Sequence, residues 1–392
     1  MKTIEQIAVQ QNNELYLQTY LRSYTYNGVS MDITLNSLYE TYKIKTKQST
    51  IYPNLYLFKY SQIESPMNER IVQECRGIIL DSADNWNVVS YPFNKFFNLG
   101  ENQYIQSHFD WDDYKVYPKE DGSLVQLYYY ANKWNIASSG NPDASGNVND
   151  YNITFNELVQ RYLPSQEILS QVLDSSLTYI FELVTLENKN VVRYSPTEYN
   201  LYLLGARGKY TFEEYSPEYV ISTHPPVFTN LTINICRSIS NKDIYKQVDE
   251  LKGEDAEGYI LVDKDFNRLK VKSKDYVAKH HLRSSWSLKN AIQVVLNNEI
   301  DEVTTYFPEY AGQLTEIKNK IEDIIFKILS CYKLCFYELS TVKDVGLYLK
   351  YDNLPFKHII FTLYKQDVFP SEDAVKNEVY KIEAYKFVEV CQ

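Results

Sequence analysis

Lys119-Glu120-Asp121-Gly122-Ser123 leads into Leu124-Val125-Gln126-Leu127-Tyr128-Tyr129-Tyr130, and the reading of this stretch decides the rest of the chain. The second half alternates and is rich in β-formers, so it predicts a strand entered from a short loop. A lysine at such an edge, two residues ahead of Asp-Gly, suits one kind of chemistry. An uncharged ε-amine can attack the α-phosphorus of a nucleotide, displace pyrophosphate and hold the nucleotide as a reactive phosphoramidate. On this reading Gly122 lets the backbone approach the nucleotide, and Asp121 orients the amine or caps the turn. The plain alternative is an Asp-Gly hairpin turn. The stretch alone does not choose between them.

Upstream, Ile51 to Tyr60 reads as a strand by its β-prone content. Glu74-Cys75-Arg76-Gly77 then precedes the apolar run Ile78-Ile79-Leu80. An arginine there can offer a planar donor fork to a ribose or phosphate, or simply face solvent ahead of a core strand. Lys95 lies beside Phe96-Phe97, where it can cover a nucleotide or sit at an edge over a core pair.

Downstream, Ala131-Asn132-Lys133 reads as a turn into a second strand, Trp134 to Ala137. A polar loop follows from Ser138 to Asn149, then a helical stretch over about 151–175. Leu177 to Val184 is a strand with Glu182 in its middle. A carboxylate inside an apolar strand loses hydration unless a cation or hydroxyl meets it, which makes Glu182 a stronger site candidate than any surface acid. Leu201 to Arg207 is another buried strand, and residues 241–252 read as a helix. Glu257-Gly258 opens a strand to Val262, and Leu269-Lys270-Val271-Lys272-Ser273 returns from it. Alternation puts Lys270 and Lys272 on one face. Two like charges there repel unless an anion lies between them. Facing a reactive lysine, they would lower its pKa and bind a triphosphate. The whole segment from Arg268 to Arg283 is basic, with Lys274, Lys279, His280 and His281 against one acid, Asp275.

Composition bounds these readings. The 392 residues carry a formal net charge of -11, which argues against coating nucleic acid through bulk electrostatics while allowing a local basic groove. Hydrophobic residues make up 44%, enough for real cores, and Gly and Pro are scarce at 12 and 13. Five scattered cysteines without a Cys-x-x-Cys pair argue against zinc and fit a reducing cytoplasm. Met1 to Gln6 lacks an apolar signal core, and no apolar run reaches membrane length. Beyond about residue 285 the period becomes helical: Leu314, Ile317, Ile321, Ile324, Ile325, Ile328 and Tyr332 share one face.

Taken together, Tyr60, Arg76-Gly77, Lys95-Phe96-Phe97-Asn98-Leu99, Lys119-Glu120-Asp121-Gly122-Ser123-Leu124, Phe181-Glu182, Glu257-Gly258-Tyr259 and Lys270-Val271-Lys272-Ser273 occur in an order that resembles the covalent nucleotidyltransferase superfamily of ligases and capping enzymes. More closely, the chain resembles the RNA ligase 1 family of T-even-type phages, well over about residues 50–285 and weakly beyond. The resemblance implies an α+β fold: an antiparallel-sheet nucleotidyltransferase domain of ATP-grasp-like ligase type over 1–285, with an N-terminal extension, and an all-α C-terminal domain over 286–392 suited to RNA or tRNA specificity.

It also implies roles. Lys119 would carry AMP. Tyr60, Arg76, Lys95, Glu182, Glu257, Lys270 and Lys272 would line the ATP pocket. Glu182, Glu257 and Asp301 would serve Mg²⁺, and Tyr276 would serve sealing. The expected reaction joins RNA 5′-phosphate and 3′-hydroxyl ends, single-stranded or in a tRNA anticodon loop, in RNA repair during phage infection. A monomer in the host cytoplasm, without membrane contact, is expected. One departure stands out. The family carries a lysine on the strand after the nucleophile hairpin, where this chain reads Ile136-Ala137-Ser138-Ser139-Gly140.

Three rivals are separable. A DNA ligase or a capping guanylyltransferase shares the lysine chemistry but carries an OB-fold after the last lysine motif, where this chain turns helical. A non-catalytic RNA-binding module would use the basic face and the aromatics.

Overall fold

The computed structural model describes residues 14–62, 64–148, 151–188, 191–223, 234–239, 244–282, 286–350 and 353–391. Met1 to Gln6, residues 241–243 and Arg283, all read above, lie outside the described residues. The chain divides into two compact units, Met1–Tyr276 and Val277–Gln392.

The first unit is built from antiparallel sheets. Strands β1 (Ile44–Gln48), β2 (Leu55–Tyr60), β3 (Arg76–Asp81) and β4 (Asn87–Ser90) form one sheet in that order. Next in the chain come β5 (Phe97–Asn98), β6 (Tyr114–Pro118), β7 (Ser123–Tyr130), β8 (Lys133–Ser138), β9 (Leu177–Val184) and β10 (Asn200–Gly208). They are followed by β11 (Glu214–Tyr215), β12 (Asn234–Ile235), β13 (Gly258–Asp263) and β14 (Arg268–Lys272). The second sheet runs β11-β10-β9-β7-β8, with β12 parallel to β10, and the third runs β5-β14-β13-β6.

Burial explains the layering. Leu55, Leu57, Ile79 and Val89 of the first sheet meet Tyr128 and Ala137 of the second in one apolar cluster. The other face of the first sheet buries Phe58, Ile78 and Leu80 against Leu17, Tyr20 and Leu21 of the helix Tyr16–Tyr26. The other face of the second sheet buries Leu127, Phe181 and Leu203 under short helices, Phe155–Gln160 and Gln166–Val172. Leu261 and Leu269 of the third sheet pack on Ile244 and Val248 of the helix Ile244–Glu250. Polar side chains also bridge the first two sheets, and one of them lies deep in the core. Gln126 is fully buried; its Oε1 accepts from Ser90 Oγ at 2.8 Å and its Nε2 donates to the Gly77 carbonyl at 2.9 Å.

The second unit is helical throughout its described residues. Its centre is the 28-residue helix Ala311–Glu338, which buries Leu314, Ile317, Ile321, Ile324, Ile325, Ile328, Tyr332 and Cys335, the face the periodicity predicts. Ile359, Val375 and Phe387 belong to the same core. None of the described helices is long and apolar enough to cross a membrane.

Candidate active site

Lys119 stands where β6 ends and the chain passes from the third sheet into the second. Its N–H donates to the Gly258 carbonyl at 2.9 Å, extending the β6–β13 ladder by one rung, so the lysine is fixed on a rigid edge. Asp121-Gly122 is therefore a crossing between sheets and not a hairpin turn. Packing alone requires glycine at position 122: a Cβ there would lie 2.1 Å from the Leu183 carbonyl oxygen of β9. Asp121 Oδ2 takes the N–H groups of Val191 and Val192, both at 2.9 Å, and its Oδ1 accepts from the buried Tyr276 hydroxyl at 2.9 Å. The crossing is thereby fastened to a loop and to the short helix Lys274–Val277 beyond β14.

The Lys119 Nζ lies 2.6 Å from Glu257 Oε2, and Lys272 Nζ lies 3.2 Å from Oε1 of the same carboxylate. Glu257 is buried, held just ahead of β13 where Gly258 passes tightly against β14; a Cβ on Gly258 would come within 2.2 Å of the Val271 carbonyl oxygen. The charge nearest the amine is therefore negative, whereas alternation alone suggests facing cations. Glu182 is half-buried and accepts from the Gly122 N–H at 3.2 Å. Lost hydration pushes its carboxyl up to about 7; Glu257 adds to the rise, and Lys119 and Arg76 oppose it. Burial likewise raises Glu120, which accepts from the Tyr194 hydroxyl at 3.2 Å.

These groups surround a cavity of about 380 Å³. Tyr60, Arg76, Lys95, Lys119, Glu182, Lys270 and Lys272 all line it, and Glu257 reaches it through its two lysines. Phe96 forms part of the wall, with the Arg76 guanidinium 5.0 Å and the Lys270 ammonium 5.7 Å from its ring centre. Lys95 turns toward Glu101 at 3.6 Å and stands over Phe97. The basic run does not act as one face. Arg268, Lys270 and Lys272 all line the cavity, but half-buried Arg268 is paired with Glu214 at 2.6 Å and lies over the Phe93 ring, and Lys274, Lys279 and His280 are exposed. Asp301 belongs to the helical unit, exposed in the first turn of the helix Ile300–Tyr306. Lys59 also lines the cavity, unmarked by the motif reading; its signal was a lysine inside the β-prone run Leu55 to Tyr60.

The cavity unites the Lys119 amine, the carboxylates of Glu120, Glu182 and Glu257, and a cluster of further cations. That combination can hold a polyphosphate and pass a phosphoryl centre to the amine. Comparison with known proteins bears on this. Residues 74–286, more than half of the chain, match a family model described as RNA ligase. Over 294 residues the chain is 28% identical to the "Putative bifunctional polynucleotide kinase/RNA ligase" of Autographa californica nuclear polyhedrosis virus; the match covers 70% of this chain and 40% of the viral protein. It is 25% identical over 346 residues to an RNA ligase of Rhodothermus phage RM378, covering 73% of this chain and 77% of that one. Among solved structures, an archaeal ATP-dependent RNA ligase aligns with a TM-score of 0.46 at 15% identity, over 76% of this chain and 80% of the other.

Proposed function

Because the chain belongs to the RNA ligase family, we propose that it joins RNA 5′-phosphate and 3′-hydroxyl ends at the expense of ATP through an adenylate bonded to Lys119. The observation that carries this reading is the Lys119 amine held 2.6 Å from a buried carboxylate beside a cation-lined cavity. In the first step the Lys119 nitrogen attacks the α-phosphorus of ATP, the bond to the pyrophosphate oxygen breaks, and pyrophosphate leaves. AMP then passes from Lys119 to an RNA 5′-phosphate. A 3′-hydroxyl finally attacks that activated end and releases AMP.

The chain's own groups divide the work. Before attack the Lys119 ammonium must lose a proton, and the Glu257 carboxylate stands at hydrogen-bond distance to take it. Lys272 holds that carboxylate in place from its other oxygen. Arg76, Lys270 and Lys272 offset the charge of the phosphates. Tyr276 acts on the site by fixing Asp121 and with it the crossing after Lys119. Glu182 and Glu257 fit a divalent metal such as Mg²⁺, which takes one or two carboxylates together with substrate phosphate oxygens. When bound, such an ion neutralises charge at the α-phosphate. Asp301 joins this set on the resemblance alone. RNA with a cleaved loop, as in tRNA repair, is the substrate class the resemblance favours, with the helical unit selecting it.

The test is incubation with ATP labelled at its α-phosphate. One AMP per chain, mapped to Lys119 by mass spectrometry and absent in Lys119→Ala, is expected. GMP from GTP in its place would point to a capping guanylyltransferase. Sealing of 5′-phosphate RNA that survives Lys119→Ala would overturn the mechanism.

A further inference from the structure

Lys59 and Arg76 are register partners across β2 and β3. Their side chains leave the same face of the sheet, and both line the cavity. Like charges directly opposite on neighbouring strands destabilise the pair. Elsewhere in the cavity each of several cations meets an acid: Lys95 meets Glu101, Lys119 and Lys272 share Glu257, and Arg268 meets Glu214. Among the described residues, no carboxylate lies within ion-pair distance of Lys59 or Arg76. Glu182 acts on Arg76 only at longer range.

What these two cations do touch is sparse. Lys59 Nζ has one long hydrogen bond, 3.4 Å to Ser139 Oγ. Arg76 keeps its Nη1 buried with no hydrogen-bond partner among the described residues. A buried cationic donor left unpaired is costly, more so than a neutral one. Burial, and then the charge of Arg76, pull the Lys59 ammonium below the ordinary lysine range. The wall that Lys59 approaches carries no charge: it is Ser138-Ser139-Gly140. A Cβ on Gly140 would meet Lys59 Nζ at 3.4 Å, ordinary van der Waals contact, so the ammonium lies directly against this turn. This is also the turn at which the expected lysine is absent. An ammonium arrives at that wall all the same, from β2 of the opposite sheet.

Two half-buried cations that converge on one void without an acid need an anion between them. We propose that Lys59 is a phosphate ligand of the nucleotide cavity, acting with Arg76 and supplying from β2 the charge that the β8 turn lacks. This rests on the nucleotidyl-transfer reading. The phosphate has two sources, the triphosphate of ATP and the phosphate of an adenylylated RNA end, and the experiment separates them.

The full chain is assayed in two arms: label transfer from α-labelled ATP to Lys119 as a function of ATP concentration, and sealing of chemically pre-adenylylated RNA without ATP. The variants are Lys59→Ser, Lys59→Arg and the exchange Lys59→Ser/Ser139→Lys. A charge-assisted contact to phosphate predicts a loss of about tenfold or more in Lys59→Ser, with Lys59→Arg retaining more. The exchange regains activity, because it returns an ammonium to the same void from the facing wall. Loss in the ATP arm alone assigns Lys59 to the triphosphate. Loss in the pre-adenylylated arm extends it to the RNA phosphate. Thermal melting of Lys59→Ser serves as the folding control. Relief of like-charge repulsion predicts a melting temperature no lower than that of the parent chain. A labelled parent chain with Lys59→Ser within twofold of it in both arms overturns the inference. A parent chain that takes no label on Lys119 overturns instead the reading on which it rests.

Discussion

Glu182 shows at the scale of one side chain how the site is set against stability. Its carboxyl stands at about 7 in the folded chain, above the ordinary value of 4.5. Ionising it therefore costs the folded state, a cost that builds as pH rises from about 4.5 and is complete above about 7. A carboxyl that ionises one pH unit higher in the folded chain than in the unfolded one costs about 1.4 kcal/mol. Glu182→Gln is therefore expected to stabilise the chain by about 1–3 kcal/mol at pH 8, with almost no gain near pH 4. Label transfer from ATP should rise through about pH 7 in the parent chain, and the variant should lose that limb. Equal changes in melting temperature at both pH values would remove the buried-charge argument. Gln126 makes the opposite case, a buried polar group bonded at both ends of its amide. Gln126→Leu strands the Ser90 hydroxyl and the Gly77 carbonyl, and should cost about 2–4 kcal/mol in urea unfolding. Because Gly77 follows Arg76, a loss below about 0.5 kcal/mol would mean that the inter-sheet bridge is not what holds that arginine's strand.

At the scale of elements, the β7–β8 hairpin closes through Ala131 and Asn132, both with φ above zero at 50° and 60°. A two-residue loop with both residues left-handed matches strand twist, but alanine has no liking for that conformation. Replacing Ala131-Asn132 by Asn-Gly should stabilise the unit by about 1 kcal/mol, read as a higher melting temperature; a lower one would exclude this turn type. The helix Tyr16–Tyr26 begins without a side-chain cap from Leu15. Its first N–H groups are met from afar: Glu74 accepts from Tyr16 N at 3.1 Å and Leu17 N at 2.9 Å. Glu74→Ala should cost about 2–3 kcal/mol and fray that helix, a change that hydrogen exchange at residues 16–21 would report. Unchanged exchange there would show that the helix is held by packing alone. Glu74 thus belongs to the fold, although it stands in the same motif as Arg76.

At the scale of the whole molecule, each unit has its own core. The net charge of -11 coexists with a cavity lined by several lysines and arginines, because most acids lie outside it; Glu120 and Glu182 line it, and Glu257 is paired there with Lys119 and Lys272. Separate cores predict separate melting. In calorimetry Ile321→Ala, which empties a fully buried position of the helical unit, should lower one transition by about 2–5 kcal/mol and leave the other in place. A single transition that moves as a whole would show the two units to be one cooperative body.

Most of the strands, the long apolar helix and the principal cavity residues were legible in the order of residues alone. Period-2 and period-3.6 patterns are local properties of the chain, and the motif words Arg-Gly, Lys-Glu-Asp-Gly-Ser and Glu-Gly place their side chains on known strand edges. Pairing was not legible. That Glu257 stands between Lys119 and Lys272, that Gly122 yields to β9, and that Lys59 meets Ser139 are contacts between residues far apart in the chain. They arise from how three sheets pack, and sequence spacing carries no record of which buried charge finds which partner.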